Sequence, residues 1–199
     1  MVCVLALLLI SLNLYNYCFA KNTKLLYKVK HFYKNIKTIS GEFIQKNYLP
    51  SGKVKIYYGK FWIKKPDKIK WKYLSPDHFT ILYISKKLYI YYPEEGEVFV
   101  YSAEKNYSSK LILNLLSGDP DFKSLNIKKI KVISPDMCDV ILNPPEDSYL
   151  KNIEVFIDCK KGEIKGFSYE SNIGEKIKVF LTKVLYNSHF SKKILELKK

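Results

Sequence analysis

The chain has 199 residues, with 34 basic and 19 acidic residues and a formal net charge of +15. Every basic residue is lysine, so the chain lacks the arginine fork that usually reads guanine and phosphate, which argues against a nucleic-acid partner. The lysine excess itself fits two explanations, attraction to an anionic surface or the amino-acid bias of AT-rich codons.

The first 20 residues predict a secretory signal peptide. An apolar run, Val2–Leu12, leads through a short polar stretch to the small residue Ala20, although no lysine follows the initiator methionine. Cleavage after Ala20 would leave residues 21–199 as one exported domain. Two alternatives are an uncleaved anchor and a lipoprotein signal at Cys18, which the bulky Tyr17 disfavours.

The first regular element is an amphipathic helix predicted over Thr23–Ile36. Its apolar residues recur at helical spacing between lysines: Leu25, Leu26, Val29, Phe32, Tyr33 and Ile36. Such a helix must cover an apolar surface, either as part of the core or as a lid.

The pattern then changes to the alternation typical of strands. In Lys68–Tyr73, three apolar residues alternate with three lysines, which indicates one buried and one solvated face. Short strands separated by turn signals predict an antiparallel meander. The predicted strands are Ser40–Asn47, Lys53–Lys64, Lys68–Tyr73, Phe79–Ile84, Leu88–Tyr92, Glu97–Tyr101, Lys128–Ile133, Cys138–Leu142, Lys151–Cys159, Ile164–Ser171 and Lys176–Tyr186.

A second helix interrupts the meander. Ser108 or Ser109 can cap its start, Leu111–Leu116 is its apolar body, and Gly118 suits its end.

Two cysteines remain after the signal, Cys138 and Cys159. Folding the chain about residue 148 or 149 places them roughly opposite each other in a hairpin, close to disulfide range. The alternatives are a bridge or two buried thiols.

The sequence contains no recognisable catalytic or metal-binding motif. Its three histidines, His31, His78 and His189, lie on different predicted elements, and Asp119 and Asp121 fit a turn after a helix. We therefore expect no enzyme activity, no cofactor and no metal.

Aromatic residues are abundant, with 17 Tyr, 11 Phe and 2 Trp. A sheet of about ten strands offers a large apolar face, and two helices cover only part of it. The surplus predicts either a filled core or a cavity for an apolar ligand.

An ordered set of short motifs resembles the LolA family of outer-membrane lipoprotein carriers. The set consists of Ser40–Gln45, Gly59–Pro66, Trp71, Ser75–Pro76, Leu88–Pro93, Val98, Leu111–Asp119 and Val140–Pro144. The resemblance implies a mostly β (α+β) fold, in which a curved antiparallel sheet forms an unclosed β-barrel with helices as a lid over an apolar cavity.

The same resemblance implies a monomeric periplasmic carrier. Such a carrier receives acylated lipoproteins from an inner-membrane ABC transporter and delivers them to an outer-membrane receptor, if one is present. The alternative is a binder or sensor of another lipid or lipoprotein on the same fold, such as an envelope-stress regulator or a phospholipid or glycolipid carrier.

On this basis seven residues are expected to line the acyl-binding cavity: Phe43, Phe61, Ile63, Ile69, Trp71, Leu88 and Ile90. For two pairs among them, Phe61 with Ile63 and Leu88 with Ile90, the face of the sheet depends on the strand register, because a shift of one residue would invert it. The substitution Ile69→Glu is expected to abolish acyl binding without unfolding the protein. The family's latch between sheet and lid is an arginine, and Lys65 replaces it here with a weaker, single-point donor. The later hairpin lacks the family's glycine, and the short end after Phe190 puts a C-terminal transfer loop in doubt.

Overall fold

The computed structural model describes residues 24–102, 126–144 and 149–197. Residues 24–33 form helix α1, and Lys192–Leu195 form a short 3-10 helix. Eleven strands lie between them: β1 (Thr38–Tyr48), β2 (Val54–Lys64), β3 (Lys68–Ser75), β4 (Phe79–Ile84), β5 (Lys87–Tyr92), β6 (Glu97–Ser102), β7 (Asn126–Ser134), β8 (Met137–Asn143), β9 (Leu150–Asp158), β10 (Ile164–Ser171) and β11 (Lys176–Tyr186).

All eleven strands belong to one antiparallel sheet in the order β6-β5-β4-β3-β2-β1-β11-β10-β9-β8-β7. The two edge strands, β6 and β7, do not pair with each other, so the sheet remains unclosed as predicted. Each observed strand matches a predicted one to within two residues at either end.

Helix α1 ends at residue 33, three residues earlier than the apolar spacing predicts. The chain has to turn there to enter β1, and backbone bonds from Lys34 to His31 and from Ile36 to Tyr33 close that turn. The second predicted helix, the signal segment and its cleavage site at Ala20 lie outside the described residues.

The alternation in β3 separates two faces of the sheet. Ile69, Trp71 and Tyr73 are 4–6% exposed and point to one side, which we call the inner face. The lysines between them point to the other side, the outer face.

One apolar core lies on the inner face beneath α1. The helix contributes Leu25, Val29 and Tyr33, and β8, β9, β10 and β11 contribute a continuous set of buried aliphatic side chains and Phe167. Burying such side chains stabilises the fold by about 1.5–3 kcal/mol each.

The end of the chain crosses the outer face. The Lys70 Nζ atom donates to the Glu196 carbonyl oxygen at 2.6 Å, which places the 3-10 helix against β3. Leu195 is buried there, and so is Leu82, the cross-strand neighbour of Lys70, although neither belongs to the inner core.

Cys138 and Cys159 are joined by a disulfide, with Cα atoms 5.5 Å apart. They are not directly opposite, because Cys138 faces Ile157 in the register and the Cys159 amide donates to the Asp136 carbonyl oxygen. The hairpin therefore turns about one residue earlier than the sequence suggested, and the bridge is diagonal.

Replacing both cysteines with serine is expected to lower the free energy of unfolding by about 3 kcal/mol, because the bridge constrains a loop of moderate length in the unfolded chain. Urea unfolding of the oxidised native protein and the variant measures the difference. Addition of a thiol reductant should destabilise the native protein and leave the variant unchanged. Equal midpoints for all four samples would contradict the prediction.

Candidate functional site

Two cross-strand rows of apolar side chains run along the inner face from β2 to β6. The strand registers place opposed residues on the same face, so each row is continuous. We call these two rows the apolar track: Phe61, Trp71, Ile81, Ile90 and Phe99 in one row, and Ile63, Ile69, Tyr83, Leu88 and Tyr101 in the other.

The track passes from a closed core to an open edge. Phe61 and Trp71 are 1% and 4% exposed. The track residues of β4 and β5 are half-buried, whereas Phe99 and Tyr101 on β6 are 43% and 52% exposed. At about 4.8 Å between strands, the row from β3 to β6 spans roughly 14 Å.

The structure places all seven residues predicted to line a cavity on the inner face. Five are packed into the core with 4% exposure or less: Phe43, Phe61, Ile63, Ile69 and Trp71. Leu88 and Ile90 are half-buried on the open part of the track. The registers Phe61–Trp71 and Ile81–Ile90 settle the face of both doubtful pairs.

Ile69 is therefore a poor position for the glutamate test that the sequence suggested. A carboxylate at this buried position would be desolvated, and we expect the variant to unfold. The half-buried Ile90 lies on the same face and is the better position for this test.

Stacked aromatic rings form the closed end of the track. The ring centroids of Phe43 and Trp71 are 4.2 Å apart, and those of Phe61 and Trp71 are 5.1 Å apart. Gly59 makes this packing possible, since a Cβ atom there would lie 2.3 Å from the Phe43 ring.

A line of aromatic rings continues from this stack towards β5. Tyr73 stacks on Phe79 with centroids 4.0 Å apart, and Phe79 stacks on Tyr92 at 5.6 Å. The Tyr73 hydroxyl donates to Gln45 Oε1 at 2.8 Å, and burial raises the pKa of Tyr73. The buried Tyr73 hydroxyl is thus neutral and has a partner.

Helix α1 is docked by the turn that follows β9. The Lys28 Nζ atom donates to the Cys159 carbonyl oxygen at 2.8 Å, and the Ile164 amide donates to the Tyr33 hydroxyl at 3.0 Å. Burial raises the pKa of Tyr33 to about 12, so its hydroxyl stays protonated. Gly162 packs directly against the helix backbone, where any side chain would collide.

Lys65 lies at the C-terminal end of α1. Its Nζ atom donates to the Tyr33 carbonyl oxygen at 3.3 Å and lies 5.6 Å from the centre of the Tyr33 ring. Lys65 thus joins the β2–β3 turn to the helix, with a compact ammonium in place of the planar fork that an arginine would offer.

Among the described residues, no group of three or more His, Cys, Asp or Glu side chains could hold a metal ion. His78 and Asp77 do not form a dyad: Asp77 pairs with Lys55 at 2.6 Å, and His78 Nδ1 lies 3.2 Å from Glu94 on the surface. In the same ranges no helix is long and apolar enough to span a membrane.

Sequence reasoning missed the outer part of the track, namely Ile81, Tyr83, Phe99 and Tyr101. In β4 the residues Ile81–Ile84 are all apolar, so the sequence pattern does not show which of them face inwards. In β6 the apolar residues Val98–Tyr101 are consecutive, so only the pairing with β5 shows which of them face inwards.

Comparisons with known proteins match this architecture. The family model described as outer membrane lipoprotein carrier protein LolA matches residues 34–198. An outer-membrane lipoprotein carrier protein from Alkalilimnicola ehrlichii is 29% identical over 72 residues. That alignment covers 36% of this chain and 34% of the relative, so the matched part is about a third of the relative's length.

Two solved structures share the fold at low sequence identity. A LolA superfamily protein from Nitrosomonas europaea is 10% identical with a TM-score of 0.50, covering 87% of this chain and 96% of that chain. A chain of the Pseudomonas aeruginosa MucA/MucB complex is also 10% identical with a TM-score of 0.50, covering 87% of this chain and 60% of that chain.

Proposed function

The chain belongs to the outer membrane lipoprotein carrier (LolA) family, and we propose that it binds the acyl chains of lipoproteins along its apolar track. In this role it is a non-enzymatic carrier that moves lipoproteins through the periplasm from the inner to the outer membrane. The observation that carries the proposal is the continuous apolar track, which leads from the closed core to exposed aromatic residues on β6.

Acyl binding requires apolar surface that water can reach in the free protein. Leu88, Ile90 and Phe99 supply it, and each methylene group buried against them contributes about 0.8 kcal/mol. The closed end, at Phe61 and Trp71, can accept a chain only if its packed rings move. We therefore place the acyl chains first on β4, β5 and β6, and deeper only after rearrangement.

A carrier also has to release its cargo. Losses of association entropy and of side-chain freedom oppose the gain from burial, so a partly open track gives moderate affinity. Lys65 acts in this proposal as the latch of α1, and its compact ammonium lacks the planar fork of an arginine, which makes the latch easier to open.

The remaining parts of the proposal concern processing and partners. Residues 1–20 direct export and are removed after Ala20, and residues 21–199 form the carrier domain. The partners are acylated lipoproteins, an inner-membrane ABC transporter that releases them and an outer-membrane receptor.

Release of lipoproteins from membranes tests this function. The purified exported form is added to spheroplasts of the source organism, and the supernatant is analysed by mass spectrometry. We expect acylated lipoproteins in soluble complexes with the protein, and none in a mock incubation.

Two other outcomes of this experiment would change or overturn the proposal. Capture of free phospholipid or glycolipid alone would keep the apolar track as the binding site and replace the cargo. Capture of nothing would overturn the proposal and favour a filled core with an interaction or regulatory role.

A further inference from the structure

The outer face carries an apolar row of its own. The registers align Tyr58, Ile44, Phe180 and Phe156 across β2, β1, β11 and β9, with Gly166 of β10 between the two phenylalanines. The Phe156 and Phe180 rings, on the two strands that flank Gly166, stack with centroids 5.8 Å apart. We call these four side chains the outer apolar row; it spans five strands, or roughly 19 Å.

Much of this row is in contact with water. Tyr58 is 49% exposed and Phe180 is 38% exposed, and Val54 and Ile56, on the same face of β2, are 49% and 37% exposed. Single exposed apolar residues are ordinary, but a contiguous exposed patch indicates a contact surface.

The strands that carry most of this patch are strongly basic. Strands β1, β2, β3 and β11 contain ten lysines, one in β1 and three in each of the others, and a single acidic residue, Glu42. Strands β8, β9 and β10 by contrast contain four acidic residues, Asp139, Glu154, Asp158 and Glu170. Lysines are therefore in large excess on four adjacent strands at the middle of the sheet, and β7 at the far edge carries three more.

Three pairs of outer-face lysines lie directly opposite each other on neighbouring strands. They are Lys46–Lys178, Lys60–Lys72 and Lys64–Lys68. Directly opposed like charges destabilise a sheet. A codon bias explains many lysines, but it does not explain their concentration beside an exposed apolar row.

Both unfavourable features disappear against one kind of surface. Anionic headgroups neutralise opposed lysines, while the interfacial layer beneath them accepts tyrosine, phenylalanine and the apolar stems of lysine. An acidic protein surface would satisfy the charges but would not by itself cover the apolar row.

We propose that the outer face of β1, β2 and β11, together with the exposed Lys72 of β3, is a docking site for the surface of an anionic phospholipid bilayer; the 3-10 helix covers β3 around Lys70 and is not part of the site. The outer apolar row lies at the interfacial layer, and the opposed lysines contact headgroup phosphates. The acyl track lies on the opposite face of the sheet and runs from β2 to β6, so docking leaves it free. The inference goes beyond cargo binding and does not depend on it.

Vesicle sedimentation with the cargo-free exported form, residues 21–199, tests the proposal. We expect binding to vesicles of phosphatidylglycerol and phosphatidylcholine, and none to phosphatidylcholine alone. The double variant Lys60→Glu/Lys72→Glu should bind the anionic vesicles at least about tenfold more weakly, since each lysine near the surface contributes. Both lysines are exposed, but Lys60 also faces Glu42 on β1, so we expect a slightly lower thermal unfolding midpoint and compare vesicle binding at a temperature at which both proteins are folded.

The matched control is Lys151→Glu/Lys161→Glu, which changes the net charge equally at exposed positions on β9 and the turn after it. It should keep the affinity of the native protein. Equal weakening by both double variants would show a net-charge effect and overturn the docking site.

Two further readouts complete the test. Tyr58→Ser should weaken vesicle binding that persists at high salt, where charge contributions are screened. Ile90→Glu, which is directed at the acyl track, should leave vesicle binding intact, so this site and the proposed function can fail independently. No binding to any vesicle, or binding only to an acidic protein partner, would overturn the proposal.

Discussion

Ile90→Glu is expected to abolish the capture of acylated lipoproteins by a protein that remains folded. Ile90 is half-buried at the middle of the apolar track, with Ile81 and Phe99 as its cross-strand neighbours. An acyl chain on the track would bury the carboxylate without a partner, which costs several kcal/mol and exceeds the gain from a few methylene groups. In the free protein the same carboxylate can still reach water.

The control for this variant is Tyr91→Glu. Tyr91 is the next residue of β5, is also half-buried and points to the outer face, where its neighbours are Thr80 and Val98. Mass spectrometry of captured lipoproteins compares the two variants, and thermal unfolding verifies that both are folded. Normal capture by Ile90→Glu, or equal loss in both variants, would show that acyl chains bind elsewhere.

Gly59→Ala is expected to lower the free energy of unfolding by about 3 kcal/mol, at the upper end of the usual cost of overpacking. The added Cβ atom would lie 2.3 Å from both the Phe43 ring and the Lys72 carbonyl oxygen. The ring can move only by disturbing its stack on Trp71, and the carbonyl oxygen is held in the ladder between β2 and β3.

Gly52→Ala separates crowding from backbone strain. Gly52 has a φ angle of +80° but nothing within 4 Å of an added Cβ atom, so its replacement should cost only about 1 kcal/mol. Urea unfolding of the two variants measures the difference. A Gly59→Ala protein as stable as Gly52→Ala would mean that the core around Phe43 is loosely packed.

The sequence predicted the strands and their faces well, for a simple physical reason. Where a strand has one buried and one solvated face, as in Lys68–Tyr73, alternation of side chains reports both the strand and its orientation. The register was less accessible. The register is fixed by bulges between neighbouring strands and by the exact centre of each hairpin, and neither can be read from the alternation of side chains. For this reason the sequence did not show that Cys138 faces Ile157 rather than Cys159.

The depth of the predicted site residues could not be read from the pattern. Trp71 and Ile90 occupy the same row and the same face, yet one is packed within the core and the other is half-buried. Burial depends on what covers the sheet, and alternation carries no information about the cover. For Val98–Tyr101 even the face was undetermined, because these residues are apolar on both sides.

The lysine excess is a second case in which the sequence alone did not show where residues lie in the fold. Composition alone favoured a codon bias and left an anionic partner as the alternative. Only the registers show that Lys46 faces Lys178 and that Lys60 faces Lys72 beside the outer apolar row.

The pairing of β1 with β11 at the middle of the sheet has a consequence for how the chain acquires its structure. Every other neighbouring pair of strands is consecutive along the chain, whereas this pair joins residues near position 43 to residues near position 181. Each half of the sheet can therefore assemble from local hairpins, but the central seam has to wait for the last strand to be synthesised. Until then β1 and β10 each present an edge of unpaired backbone, so the new chain is most vulnerable to misassociation just before its last strand arrives.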